Sequence, residues 1–251
     1  MNYNPFSLEG KTILVTGASS GIGRGIAIEC SKMGASVVIT GRNNERLNET
    51  FLLLEGNDNK QIVADLSDKN QLENLIDNCP VLDGCVNNAG IPKLNTVKFI
   101  QRDSLNEIMN INTIAPILLT SALVKKKILK RASSIVFVSS ISGVYISTLG
   151  ESMYSATKGA INGFVKGAAI DLASQKIRVN SVNPGLIETS ILDLAGEMFS
   201  KEQIQDKLNQ YPLKRMGQPE DVAFAVIYLL SDAASWVTGA NIVIDGGFTL
   251  Q

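Results

Sequence analysis

Thr12-Ile13-Leu14-Val15-Thr16-Gly17-Ala18-Ser19-Ser20-Gly21-Ile22-Gly23 decides how this chain folds. The apolar, β-branched run at 12–16 reads as a strand. It ends in a glycine-rich turn, and helical spacing follows over 22–33 until Gly34 stops it. Glycines let the backbone turn tightly and approach a phosphate without a Cβ in the way. The helix start then offers free N–H groups and partial positive charge to a pyrophosphate. The spacing is Gly-x-x-x-Gly-x-Gly, not the Gly-x-Gly-x-x-Gly of the usual dinucleotide fingerprint. Its weight comes from its place between a first strand and a first helix.

Working outward, the alternation continues to the end of the chain. Strands are expected at 36–40, 60–64, 82–86, 134–138, 177–182 and 241–245. Helices are expected at 44–54, 70–78, 105–127 (despite Pro116), 154–174, 201–209 and 220–230. Apolar strands alternating with helices mean right-handed βαβ crossovers and a parallel sheet covered on both faces. The expected fold is α/β: a single-domain, Rossmann-type, doubly wound parallel sheet of about seven strands over residues 1–251. No linker, low-complexity tract or repeat interrupts it. A long excursion at about 187–212 breaks the rhythm and is expected to be a substrate loop.

Composition narrows the chemistry. The net charge of −1 offers no electrostatic case for nucleic acid or an anionic membrane. The chain has no histidine, which excludes Ser-His-Asp and Cys-His catalysis and His-ligated metal sites. Acid–base work must fall to Tyr, Lys or carboxylates, and no metal site is expected. Cys30, Cys79 and Cys85 form no Cys-x-x-Cys pair, and their odd number argues against a disulfide framework. They read as reduced thiols of a cytoplasmic protein. The first residues lack the basic-then-apolar order of a signal peptide. The apolar stretch at 114–124 is too short to span a bilayer.

The end of the second strand reports on the nucleotide. A fold that prefers a free ribose 2′-OH places a carboxylate there. This chain has Gly41-Arg42, and a guanidinium fork matches phosphate oxygens. NADP(H) is therefore the expected cofactor, with NAD(H) as the alternative.

Tyr154 and Lys158 stand four residues apart on an expected helix and share a face. A cation beside a phenol favours the phenolate, so the pKa of Tyr154 is expected to fall. Such a tyrosine can donate or take a proton. Tyr145 has Leu149, not a lysine, four residues on. Upstream lie Ser139, Ser140, Ser142 and Gly143.

With the turn at 17–23, these residues and Asp65-Leu66, Asn87-Asn88-Ala89-Gly90, Asn112 and Asn183-Pro184-Gly185 resemble, in order, the short-chain dehydrogenase/reductase family. The resemblance runs from Leu8 to Phe248. It implies that Tyr154 is the acid/base and that Lys158 lowers its pKa and holds the nicotinamide ribose. It implies that Ser140, the serine with glycine three residues on, polarises the substrate carbonyl, and that Asn112 supports a water-linked proton path. The implied cofactor contacts are Gly17, Ser19, Ser20, Gly21, Ile22, Gly23, Arg42, Asp65, Leu66, Asn88, Ala89, Gly90, Tyr154, Lys158, Pro184, Gly185, Ile187 and Thr189. Asp65 would hydrogen-bond the adenine amino group, while Ile187 and Thr189 would grip the carboxamide.

The segments 215–222 and 238–247 are similar to the subgroup that includes 3-oxoacyl-[acyl-carrier-protein] reductases, commonly homotetramers built through two long helices and the last strand. The implied reaction is hydride transfer between a carbonyl and a secondary alcohol, with an acyl-carrier protein as one partner. Basic residues near the cleft mouth would serve that acidic carrier. Lys125, Lys126, Lys127, Lys130 and Arg131 supply a cluster, although the position matching a second arginine is Gln175. A sugar, polyol or other small alcohol is the alternative substrate. A non-catalytic cofactor-binding protein is the distant alternative.

Overall fold

The computed structural model describes residues 4–189 and 208–250. Among them, seven strands form one sheet: β1 (Thr12–Thr16), β2 (Ser36–Gly41), β3 (Lys60–Val63), β4 (Leu82–Asn87), β5 (Leu129–Val138), β6 (Arg178–Pro184) and β7 (Asn241–Ile244). Their order is β3-β2-β1-β4-β5-β6-β7, and every pairing is parallel. The chain winds outward from β1 in one direction and from β4 in the other. The crevice between β1 and β4, at the carboxyl ends of the strands, is the topological switch point where such folds bind ligands.

Among the described residues, seven α-helices cover the faces: α1 (Gly21–Lys32), α2 (Asn44–Phe51), α3 (Lys69–Asn78), α4 (Arg102–Met109), α5 (Ala115–Lys125), α6 (Ser152–Asp171) and α7 (Pro219–Leu230). Successive strand residues point to opposite faces, and Ile13, Leu14 and Val15 are all fully buried. Val15, Val37 and Ile39 pack with Ile26 of α1, Leu47 of α2 and Val226 of α7. Leu14, Val38 and Ile135 pack on the other face with Leu75 of α3, Leu119 of α5 and Val165 of α6. Each such side chain contributes about 1.5–3 kcal/mol through burial. Pro219 opens α7, and the Asp221 carboxylate accepts the Gln218 N–H at 2.7 Å, which closes the helix start.

The structure departs from the sequence expectations most at β5, at α6 and along the long helix. β5 starts at Leu129 rather than 134, because Leu82 pairs with Leu129 before an irregularity restarts the ladder at Gly84–Ser134. α6 starts at Ser152, two residues early. The long helix is a composite: α4 passes into α5 through a π-helical turn, Asn110–Ile114. The run Arg102–Lys125 is, by length and composition, long and apolar enough to cross a membrane, which the stretch at 114–124 did not suggest. Here it packs against the sheet layer with Asn112, Thr113 and Thr120 buried in hydrogen bonds. Most of the expected helix at 201–209 and of the loop at 187–212 lies outside the described residues.

Candidate active site

The β1–α1 turn is held by Thr16 and Asn88. The Thr16 hydroxyl accepts the N–H groups of Asn88 and Ala89, both at 3.0 Å. The Asn88 side chain in turn donates to the Thr16 carbonyl at 3.0 Å and the Gly17 carbonyl at 3.2 Å. This ties the end of β1 to the end of β4 across the switch point. Gly17 has φ +64°, and an added Cβ would meet the Ala89 Cα at 2.8 Å, so only glycine fits. Ser20 caps α1 with its backbone alone and makes no side-chain bond, leaving the helix start open.

A groove of about 340 Å³ runs along this turn. Its walls bring together most of the residues expected at a cofactor: Gly17, Ser19, Ser20, Ile22, Gly23, Arg42, Asp65, Leu66, Asn88, Ala89, Gly90 and Thr189. Gly21 does not line it but abuts Thr189, whose Cγ2 would be 3.1 Å from an added Cβ. The glycine cradle, the open helix start and the guanidinium at the β2 end fit a phosphorylated nucleotide. Arg42 is 59% exposed and its Nη1 lies 3.9 Å from Asp65 Oδ2, a weak pairing that leaves the fork available. Asp65 Oδ1 is already taken by the Ser67 N–H and hydroxyl. Asn43 and Arg46 also line the groove. The sequence reading missed Arg46, although its place three residues after Asn43, the cap of α2, puts it in the first turn beside Arg42.

Next to the groove is a smaller hollow of about 210 Å³, lined by Ser139, Ser140, Tyr154, Pro184, Gly185, Ile187 and Thr189 among others. β5 ends at Val138, and the following residues leave the sheet. Ser139 turns inward and donates to the Lys158 carbonyl at 3.1 Å. Ser140 and Tyr154 face each other across this hollow, where the Ser140 hydroxyl acts to lower the phenol's pKa. Gly143, at φ +99°, lets the turn touch α6, since an added Cβ would lie 2.2 Å from the Ser155 carbonyl oxygen. Tyr145 is directed elsewhere, toward the Asn241 carbonyl at 3.4 Å.

Lys158 is buried, donates to the Val138 carbonyl at 2.9 Å, and its Nζ lies 5.7 Å from the Tyr154 ring centroid. Asn112 comes from the π-helical turn. Its Oδ1 accepts the Ile91 N–H at 2.8 Å, and its Nδ2 donates to the Ile91 carbonyl at 2.9 Å. A Cβ added to Gly90 would sit 3.3 Å from Asn112 Oδ1 and 3.6 Å from Lys158 Nζ, so all three meet at one point.

The expected fall in the Tyr154 pKa is corrected here. Burial pushes the phenol up to about 12, the Glu151 carboxylate adds to the rise, and the Ser140 hydroxyl opposes it. Burial also lowers Lys158 to about 8. Taking both groups from water penalises the charged form of each. Tyr154 is therefore a neutral phenol at pH 7, ready to donate, and Lys158 is still mostly ammonium.

A second correction concerns the basic cluster. Lys125, Lys126, Lys127, Lys130 and Arg131 lie before or at the start of β5, whereas Ser140 follows its end. At about 3.3 Å per strand residue, the nine residues from Arg131 to Ser140 span up to roughly 30 Å, so the two lie at opposite ends of β5. Lys126 pairs with Asp77, Lys130 with Asp83, and Arg131 donates to the Ser174 carbonyl. The cysteines are free thiols; burial raises Cys30 to about 12 and Cys79 to about 11, and raises Cys85 further, so none is a reactive thiolate. Among the described residues no cluster could hold a metal ion.

Known proteins resemble this chain along almost its whole length. The family model described as enoyl-(acyl carrier protein) reductase matches residues 17–249. The chain is 37% identical over 243 residues to the 3-oxoacyl-[acyl-carrier-protein] reductase FabG of Rickettsia felis, covering 97% of this chain and 98% of that protein. A solved short chain dehydrogenase/reductase family protein superposes with TM-score 0.85 at 32% identity, covering 96% of this chain and 99% of that one. A putative 2-deoxy-D-gluconate 3-dehydrogenase from Agrobacterium tumefaciens, solved with bound NADP, superposes with TM-score 0.86 at 30% identity, covering 99% and 100%. With a family model matching residues 17–249 and relatives above 30% identity along almost the whole chain, this protein belongs to the short-chain dehydrogenase/reductase family of oxidoreductases.

Proposed function

We propose that the protein reduces a 3-oxoacyl thioester to the secondary alcohol with NADPH, Tyr154 giving the proton. The observation that carries this reading is the pair of hydroxyls, Ser140 and Tyr154, facing one hollow beside the cofactor groove. The nicotinamide, when bound, supplies the hydride. Two neutral hydroxyl donors converge where a carbonyl oxygen gains negative charge, the form of stabilisation worth most in a dry site. The raised pKa keeps Tyr154 protonated at neutral pH, which suits the reductive direction. Lys158 holds positive charge beside the phenol and steadies it as the proton leaves. Asn112 braces the strand-end loop at Ile91 next to that ammonium. In the groove, Arg42 is the residue proposed to read the 2′-phosphate, and Thr189 and Ile187 to border the nicotinamide.

The thioester is favoured by the reductase relatives, and an acyl-carrier protein is the proposed carrier. Its docking surface cannot be the 125–131 cluster of the same protomer, which lies at the far end of the strands. The loop at 187–212 is proposed to shape the acyl side of the hollow.

The test follows reduced-cofactor absorbance with an acetoacetyl thioester and with a panel of sugars and diketones. Tyr154→Phe is expected to lose at least about a thousandfold in kcat, within the span of a lost general acid and oxyanion donor, while still binding cofactor. Undiminished turnover in that variant refutes the mechanism. Activity on sugars alone moves the assignment to polyols, and none on any carbonyl returns the protein to cofactor binding without catalysis.

A further inference from the structure

We propose that Glu151 is a positioning residue whose carboxylate clasps the turn carrying Ser140 to the first turn of α6, and so sets how Ser140 meets Tyr154. The inference rests on the reading of Tyr154 as proton donor. Ser140 is held at its own hydroxyl by the Ser142 N–H at 3.1 Å. Ser142 is buried, and its hydroxyl donates to Glu151 Oε2 at 3.0 Å. The same oxygen accepts the Thr148 N–H at 3.2 Å. Glu151 caps α6, and its backbone carbonyl accepts the Ser155 N–H at 2.7 Å. One carboxylate oxygen thus gathers both ends of the 142–148 turn onto the helix that bears Tyr154, three residues on.

Backbone bonds also hold the turn: the Gly143 N–H donates to the Ile146 carbonyl at 2.8 Å and the Tyr145 N–H to the Ile141 carbonyl at 3.1 Å. Val144, Tyr145 and Leu149 are exposed, so no apolar anchor reaches the core from them. The Ser147 and Ser155 hydroxyls meet at 2.9 Å, and Gly143 rests on the Ser155 carbonyl. Bonds to a charged acceptor are about twice as strong as neutral ones, which makes the carboxylate the strongest tie.

Glu151 also acts through charge. Lys158 on α6 and Glu151 at its cap flank Tyr154, with Ser140 just past the end of β5. The charged groups on neighbouring segments are engaged elsewhere: Glu188 with Gln218, and Lys93 with Glu107. Among the described residues Glu151 is the anion that raises the proton affinity of Tyr154.

The test is a double-mutant cycle on the holoenzyme, with Glu151→Ala, Ser142→Ala and the pair, beside Glu151→Gln and Tyr154→Phe. Each alanine variant is expected to lose roughly tenfold to a hundredfold in kcat, the reach of one hydrogen bond to a charged group, with cofactor affinity unchanged. The double variant should be no worse than the poorer single one, since both cut one link. Glu151→Gln keeps an acceptor but not the charge, so it should lose less in kcat than Glu151→Ala, while an ultraviolet titration of the phenols, referenced to Tyr154→Phe, shows Tyr154 ionising at lower pH. Additive losses, or wild-type kcat and titration in all three, overturn the proposal. If Glu151→Ala does not fold, Ser142→Ala and Glu151→Gln decide. Turnover surviving in Tyr154→Phe removes the proton-donor reading and this inference with it. Loss there, beside wild-type behaviour of the Glu151 and Ser142 variants, removes the inference alone.

Discussion

Lys158 is a cation held out of water with one backbone carbonyl, that of Val138, as its hydrogen-bond acceptor. Its pKa is about 8 in the folded chain against the ordinary 10.5. A lysine with a depressed folded pKa destabilises the fold wherever both states are protonated, and the penalty is relieved as pH rises from about 8 toward 10.5, where the unfolded chain binds the extra proton. Tyr154 has the opposite sign: its pKa is raised, so its contribution is full below pH 10 and is lost as pH climbs toward 12. Lys158→Met should therefore stabilise the protein at pH 7 by about 1–3 kcal/mol, the scale set by the gap between folded and unfolded proton affinities, while abolishing activity. Denaturant midpoints at pH 7 and pH 9.5 check this, since the advantage must shrink at the higher pH. The pairing of Tyr154 with Lys158 was legible from i, i+4 spacing. The direction in which the tyrosine pKa moves was not, because burial depends on what packs over the helix.

At the scale of elements, the strand ends carry the chemistry. The β2–α2 corner places Arg42 at the groove and Arg46 in the first turn beside it. Arg42→Asp should weaken NADPH relative to NADH at least about tenfold, as a charge-assisted bond to phosphate is lost and a repulsion gained. Titration of the free protein with 2′-phosphorylated and plain adenosine nucleotides reads this without turnover, and an unchanged ratio rejects the assignment. The β1–α1 turn was readable because glycine at fixed offsets has few other uses between a strand and a helix. The first residues of β5 were not, since Lys130, Arg131 and Ala132 are exposed and show no apolar run, and only Leu129 before them pairs with β4 ahead of Ser134. The π-helical turn that aims Asn112 at Ile91 left no mark either, because its residues continue the helical pattern.

For the whole molecule, strand direction sorts function from far-end chemistry. Every strand is parallel, so the phosphate turn, the Ser140 turn and the Pro184–Thr189 segment all emerge at the carboxyl ends of the strands, while the lysine cluster is left at their amino ends. Apolar groups stay on the surface: Leu118 on α5 is 52% exposed, Ile114 44%, and Trp236, shortly before edge strand β7, 98%. Scattered exposed leucines are ordinary, but these lie on the long helix and beside the last strand, where the proposed homotetramer would bury them. Leu118→Glu should lower the assembled mass measured by light scattering, since a carboxylate buried at an interface costs several kcal/mol. An unchanged mass places the interface elsewhere.

Local pattern determined the order of strands and helices, the phosphate turn and the identity of the Tyr154–Lys158 pair. Each of these depends on residues close in the chain: alternation, glycine at a turn, one face of a helix. Tertiary structure decided which end of the strands each residue reached, that the lysine cluster faces away from the cleft, that burial raises the Tyr154 pKa, and that Glu151 clasps the Ser140 turn. Those outcomes depend on groups brought together from distant parts of the chain, and on how much water they lose when they meet.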